Sequence, residues 1–372
     1  MLKNYLKIAW RSLQKNKLYS IVNIGGLTAG ITCCLLICLY LMNELSYDRF
    51  HKSADRIVRA TTEYTVNGVI NRVGKTGSMV GPRFASVFPE VQSFVRILGF
   101  EPYTVQYGEQ SFVEKGFRFA DSTFFQIFSF PLIEGDPKTA LDAPYKLVIT
   151  RSMEKKYFGN EKALGKVVRI GGTRDYIVSG VSEDVPANSQ IQFDFIASFA
   201  SLRNSLSWGI EVYATYFLLR PNTNVGRLEE NIISYMKRQT DLDLTGNDYL
   251  IFHLEPLTRV HLFSDLDGLE PNGNITYIYI LAAIALLILC IASVNYTNLA
   301  TAQAARRLPE IGVRKVLGSA RWQIFWQFIG ESLLLNAIAF ILAIWLSLIM
   351  LPYFNKLVEK SLSFKSFFNF LV

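Results

Sequence analysis

The sequence is poor in the residues that build metal centres and disulfide scaffolds. Of its 372 residues, three are histidine and four are cysteine. His51, His253 and His261 share no metal-ligand spacing and have no cysteine neighbours, which argues against a metal site. Cys33, Cys34, Cys38 and Cys290 all fall inside apolar runs, so residues 44–276 hold no cysteine. That stretch must be held by a core rather than by disulfides, and at about 230 residues it is long enough to bury one. Catalytic signatures are missing too: there is no G-x-S-x-G, no H-E-x-x-H and no evident carboxylate pair. "GNEKALGKV", Gly159–Val167, imitates a phosphate loop but puts one residue too many before its Gly-Lys and ends on Val167 where Ser or Thr should hold magnesium. Neither an enzyme nor a nucleotide or cofactor site is indicated. Acids are absent from residues 1–19, where Lys3, Lys7, Arg11, Lys15 and Lys17 stand alone.

Charge is also absent from long stretches, and this decides the class. Ile21–Met42 is uncharged and would make roughly 33 Å of helix, enough to cross a bilayer. Tyr277–Ala300 is likewise uncharged, and Trp322–Leu351 carries only Glu331. Spans are therefore expected at 20–43, 277–300 and 322–351, in contact with membrane lipid. The first is too long for a signal peptide and lacks an A-x-A site, and Gly30-Ile31-Thr32 before Cys33 make a poor lipoprotein cleavage site. Basic residues gather on the cytoplasmic side. Residues 1–19 are purely basic, the 301–321 loop has Arg306, Arg307, Arg314, Lys315 and Arg321 around one acid, Glu310, and 44–276 has 25 basic and 28 acidic residues. The N-terminus and the loop are thus expected inside, and 44–276 outside. The net charge of +7 follows from this topology and is no sign of nucleic-acid binding.

Within residues 1–19, Leu2, Tyr5, Leu6, Ala9, Trp10 and Leu13 recur at helical spacing opposite Lys3, Lys7 and Arg11, the pattern of an amphipathic helix in the cytoplasmic interface. The outer region reads as mixed α/β. Ile57–Val66 and Val69–Val73 flank Asn67-Gly68, a hairpin signal. A helix at Met79–Val87, a strand at Val91–Ile97 and short strands such as "KLVIT", "KVVRI" and "DYIVSGV" follow. Residues 213–220, Val225–Gln239 and 249–256 make a strand–helix–strand unit. Two lobes are expected, one from about 50–105 and 210–260, the other, mostly β, from about 106–205. Pro352 should stop the third span, leaving 352–372 outside, and "SLSFKSFFNFLV" (361–372) reads as the opening of a fourth span cut short.

The 301–321 loop carries more than orientation requires. Pro309 suits the first position of a helix, Glu310 its positive end, Arg314 and Lys315 its negative end, and Gly318 its C-cap. Ile311, Val313, Val316 and Leu317 add apolar surface. In the following span Glu331 lies roughly 15 Å from Arg321 along the helix. Gln327 precedes it by one turn, and Asn295 and Asn298 end the preceding span. If the two spans pack antiparallel, Glu331 is expected to accept a hydrogen bond from Asn295 or Asn298.

"NYTNLATAQAARRLPEIGVRKVLGSARWQIFWQFIGES", Asn295–Ser332, resembles the signature of the FtsX/MacB family of ABC-transporter permeases. The opening "YLKIAWRSLQKNKLYSIVNIGGLTAGI" and "ELSYDRFHKSADRIVR" is similar to the long permeases of this family in Bacteroidetes-type bacteria, of which the chain resembles the N-terminal half. Pro309 and Ser319 depart from the motif. The resemblance implies helical transmembrane spans with a two-lobed, MacB-like periplasmic core domain, in a bacterial inner membrane. It implies a permease without ATPase motifs of its own, paired with a cytoplasmic ABC ATPase subunit. The coupling residues would be Pro309, Glu310, Ile311, Gly312, Arg314, Lys315, Leu317 and Gly318. ATP-driven change would pass to the periplasmic domain by mechanotransmission, for export or extrusion. A second permease unit, as homodimer or tandem half, and a periplasmic adaptor are further implied partners. The alternative, an extracytoplasmic sensor or receptor, would need a cytoplasmic output domain, which about 20 residues of loop do not supply.

Overall fold

The computed structural model describes residues 17–99, 102–202, 205–209, 212–238, 248–306, 308–316 and 321–364. The amphipathic stretch before Lys17 and the apolar tail from 365 onward lie outside these residues. The chain divides into two compact units, one of residues 44–274 and one of the helices before and after it.

In the helical unit, α1 (Lys17–Leu45), α7 (Ile275–Arg306) and α9 (Arg321–Val358) contain the three stretches long and apolar enough to cross a membrane. Hydrogen bonds from α1 reach both of the other long helices. Thr28 and Thr32 donate to the carbonyls of Ala339 and Ala343 on α9, each at 3.3 Å. The Cys34 thiol donates to the Ala285 carbonyl on α7. Close approach explains these pairs. A Cβ placed on Gly30 would lie 3.0 Å from that of Ala292, and one on Gly26 would lie 3.3 Å from Asn295 Nδ2. Lipid gives apolar helices no hydrophobic reason to associate, so small residues and hydroxyl donors hold them. On α9 the buried stripe Leu335, Ala339, Ala343 and Ser347 recurs every fourth residue. Pro352 does not stop this helix, contrary to expectation: α9 runs through it to Val358. Proline forfeits one bond to the carbonyl four residues back, and a long apolar helix retains the rest.

The other unit is built on a sheet of thirteen strands. In chain order these are β1 (Ile57–Val66), β2 (Val69–Val73), β3 (Val91–Leu98), β4 (Tyr103–Tyr107), β5 (Gln110–Glu114), β6 (Phe117–Ala120), β7 (Leu132–Glu134), β8 (Lys146–Thr150), β9 (Val167–Ile170), β10 (Arg174–Ser182), β11 (Phe195–Ser198), β12 (Ala214–Leu219) and β13 (Leu250–Pro256). The helices are α2 (Val80–Val87), α3 (Phe124–Ile127), α4 (Arg151–Phe158), α5 (Val225–Met236) and α6 (Leu257–Phe263). The strand order is β13-β1-β12-β3-β6-β11-β8-β10-β9-β4-β5, with β2 on β1 and β7 on β10. The β1–β2 hairpin turns through Asn67 and Gly68, both at positive φ, as a right-twisting two-residue turn demands.

Alternation along β12 shows why the strands are buried on both sides. Ala214, Tyr216 and Leu218 enter a core with Phe124, Phe128 and Phe130. Phe217 and Leu219 enter another, with Phe84 of α2 and Leu228, Ile232 and Met236 of α5. A third core gathers Phe117, Phe195, Tyr157 and Phe158 around α4. Ile97 and Leu98 pair with Ala120 and Phe119, joining the strands of the two expected lobes into one sheet. β4, placed in the first lobe by the sequence reading, pairs instead with β5 and β9.

Candidate functional site

α8 (Leu308–Val316) is a nine-residue helix following α7, and α9 resumes at Arg321. It starts one residue earlier than expected, and Pro309 sits in its first turn, where N–H groups have no intrahelical acceptor anyway. Leu317 and Gly318, expected as its last residues, lie outside the described residues, as do the side chains of Glu310, Ile311 and Arg314. Pro309, Gly312 and Lys315 are exposed. So are three large apolar side chains: Leu308 at 64%, Val313 at 61% and Val316 at 89%. Leu308, Pro309, Gly312, Val313 and Val316 fall on one face at helical spacing. A methyl group added to Gly312 would meet nothing within 4 Å. Trp322, Phe325 and Trp326, at the start of α9, are exposed; Trp322 stacks on Phe325, and Trp326 meets both rings edge-on. The sequence reading did not single them out, although aromatics next to a basic loop are the usual mark of a headgroup-level belt.

The intramembrane residues divide differently from expectation. Glu331 is buried, whereas Asn295 and Asn298 are exposed. Among the described residues, no hydrogen bond joins Glu331 to either asparagine, and Asn295 lies against Gly26 of α1. The side chain of Gln327 lies outside the described set. The two Thr–Ala bonds share a sequence separation of 311, which aligns α1 and α9 in parallel and sets Glu331 level with Ser20. One turn on, Asn23 is buried, and among the described residues neither of its amide atoms has a hydrogen-bond partner.

A model of the MacB-like periplasmic core domain matches residues 20–235, and one of the FtsX-like permease C-terminal region matches 282–372. The chain belongs to the FtsX/MacB family of ABC-transporter permeases. It is 22% identical to the macrolide export ATP-binding/permease protein MacB of Mannheimia succiniciproducens over 67% of its own length and 37% of that protein's. It therefore spans little more than a third of this relative. The ABC transporter permease YvrN of Bacillus subtilis is 20% identical over 91% of the chain and 85% of its own length. Among solved structures, a permease-protein domain from Porphyromonas gingivalis covers 59% of the chain and 95% of itself at 25% identity, with a TM-score of 0.48. The periplasmic region of MacB from Actinobacillus actinomycetemcomitans covers 53% and 89% at 15% identity, with a TM-score of 0.38. With its membrane-spanning helices and MacB-like periplasmic core, this FtsX/MacB permease is an inner-membrane protein.

Proposed function

We propose that this permease is driven by a separate cytoplasmic ABC ATPase subunit docking on α8, and that it passes the resulting movement to residues 44–274 on the outer side for export or extrusion. The exposed apolar face of α8 carries this reading. A loop needed only for orientation has no use for three exposed aliphatic side chains in a row, and water disfavours them. Gly312 points the same way. Glycine inside a helix costs about 1 kcal/mol relative to alanine, and among the described residues nothing lies within 4 Å of the place its missing side chain would take. A partner's backbone drawn close to the helix is a use that would explain it.

The mechanics follow from continuity. α7 has 32 residues, roughly 48 Å of rigid helix, and α9 has 38. A shift imposed on α8 from inside is carried along both helices without an intervening loop in α7. In this reading the N-terminus is cytoplasmic, the permease works with a second unit, and Glu331 acts at the level of Ser20 to fix α9 against α1.

The test is co-purification with the ATPase subunit encoded beside the permease. Val313→Glu together with Val316→Glu is expected to abolish co-purification and ATPase stimulation while the protein still inserts in the membrane. Undiminished co-purification of the inserted variant refutes the docking role of α8.

A further inference from the structure

The chain that enters the unit of residues 44–274 and the chain that leaves it meet at a single histidine. Glu44, in the last turn of α1, places Oε2 2.9 Å from His261 Nε2 on α6. Tyr47 stacks on the imidazole, with ring centroids 3.4 Å apart and planes 3° from parallel. On the leaving side, Gly273 N donates to the His261 carbonyl at 2.8 Å. A Cβ on Gly273 would lie 2.9 Å from both Glu44 Oε2 and His261 Nε2, so the glycine closes over the pair. Glu44 and His261 are both buried.

The direction of the hydrogen bonds around this histidine is fixed from its far end. Asn272 Nδ2 faces the backbone carbonyls of Ser264 and Leu266, at 2.9 and 2.7 Å. Carbonyls only accept, so the Asn272 amide must point its NH2 at them and its Oδ1 toward Gln190. Gln190 must then present its NH2 to Asn272 Oδ1, at 2.9 Å, and the second hydrogen of that NH2 goes to His261 Nδ1, at 3.2 Å. His261 Nδ1 is therefore an acceptor without a proton, and its Nε2–H donates to Glu44.

A proton arriving at Nδ1 would set donor against donor. Relief requires Gln190 to turn its amide over. That takes the Gln190 donor away from Asn272 Oδ1, and it aims the NH2 at the side where Gln190 Oε1 now shares the surroundings of Gly268 with Arg59 Nη1, a second cation. We propose that His261 is a proton-sensitive clasp: with Nδ1 bare it fastens residues 44–47 to the 264–274 segment that leads into α7, and protonation of Nδ1 releases that segment.

The neighbouring charges act around it. Glu44, on α1, faces Nε2. Asp48, in the turn after α1, accepts from Gln190 N at 3.1 Å and from the Ser189 hydroxyl at 3.0 Å. His51 lies 3.9 Å from Asp48, and Glu255 of β13 holds Arg59. Burial pushes the Asp48 carboxyl up to about 7 against the hydrogen bonds from Gln190 and Ser189, and pushes the His51 imidazole down to about 4. Uptake of a proton by Asp48 relieves a buried charge, so it opposes release and must be read separately from His261. The clasp lies in the outer unit and stands whether or not α8 binds an ATPase.

The test uses the full chain in lipid nanodiscs with 15N-labelled histidine. Three histidines give three separable signals, assigned by single substitutions. His261 is expected to show Nε2–H and a bare Nδ1 at neutral pH; an Nδ1–H tautomer there overturns the proposal. Asn272→Ala removes the group that sets the direction of the Gln190 amide and should let an Nδ1–H tautomer of His261 appear at neutral pH. An unchanged tautomer in a variant that otherwise retains the wild-type spectrum also overturns it. Hydrogen exchange at 264–274 of the wild type, corrected for intrinsic rates, should accelerate at least tenfold once the 15N signals show both His261 ring nitrogens protonated, by analogy with one lost buried hydrogen bond. Constant protection through that protonation counts against release whatever the variant does.

Discussion

Gly312→Ala separates the intrinsic stability of α8 from its surface role. Alanine is favoured over glycine in a helix interior by about 0.8–1.0 kcal/mol. Gly312 lies inside α8 with open space around it, so no intrachain clash offsets that gain. The helical form should be favoured about fivefold at 25 °C, and amide exchange at Val313–Val316 should slow by a similar factor. If a docked subunit comes close to Gly312, the new methyl group overpacks that contact, at a cost of about 1–3 kcal/mol, and weakens docking by about fivefold or more. The assay is exchange on the permease in nanodiscs, together with titration by the ATPase subunit and its activity. Slower exchange with weaker docking is the expected result. Slower exchange with equal or tighter docking would show that this face of α8 is not the contact, and the argument from glycine would fail.

Cysteine labels at Lys138 and Asn222 should react with an impermeant reagent from outside and one at Ser319 should not; the opposite pattern would reverse the orientation taken from charge. Arg96 and Asp121 form a bidentate pair in which both side chains are largely buried. Arg96→Met should destabilise the outer unit by about 3 kcal/mol by leaving the carboxylate without its guanidinium, held only by the backbone N–H of residue 96, and adding Asp121→Leu should recover part of that, as read by denaturant unfolding. The hydrogen bond to Glu229 raises the His253 imidazole. Burial of Glu229 and Glu63 is outweighed by their hydrogen bonds, from His253 and Leu254 N to the first and from Tyr249 and Arg72 to the second, so both carboxyls lie below their ordinary values. The histidine contribution is complete below its unfolded value and is lost as pH rises through the raised one. The carboxylate contribution is complete above the unfolded values and is lost as pH falls through the lowered ones. The cluster therefore stabilises most in mildly acidic solution, and His253→Gln should flatten the loss of stability on its alkaline side.

Local pattern made much of the fold legible. Long apolar runs, two of them uncharged and the third carrying only Glu331, marked the three apolar helices, Asn67-Gly68 marked the β1–β2 turn, and the 213–256 stretch marked β12, α5 and β13. Distance along the chain hid the rest. The β3–β6 pairing that unites the strands into one sheet, and the contact of Glu44 with His261 across a sequence separation of 217, leave no trace in a periodicity. Short helices such as α4, with its charged "RSMEKKYF", were submerged in a region read as mostly β. Pro352 misled because helix-stopping rules are drawn from exposed helices, whereas in lipid an unfolded backbone is the worse alternative. In the candidate site, the apolar side chains and end charges of α8 were visible as residue types. The exposure of Leu308, Val313 and Val316 was not, because exposure depends on what fails to pack against them. The reading of Glu331 assumed that consecutive spans are the ones in closest contact, whereas α1 supplies close approaches to both α7 and α9.

Glu44 and Gly273 lie within touching distance although nearly the whole outer unit separates them in the chain. A domain whose two ends meet can be spliced between helices with two short joints and without dragging its neighbours apart. Because it also lacks cysteine, it folds by the same route on either side of the redox boundary. Residues 44–274 thus have the makings of a cassette: an outer head that recombination could lift from one membrane scaffold and set into another, changing the surface shown outside while leaving the membrane helices in place.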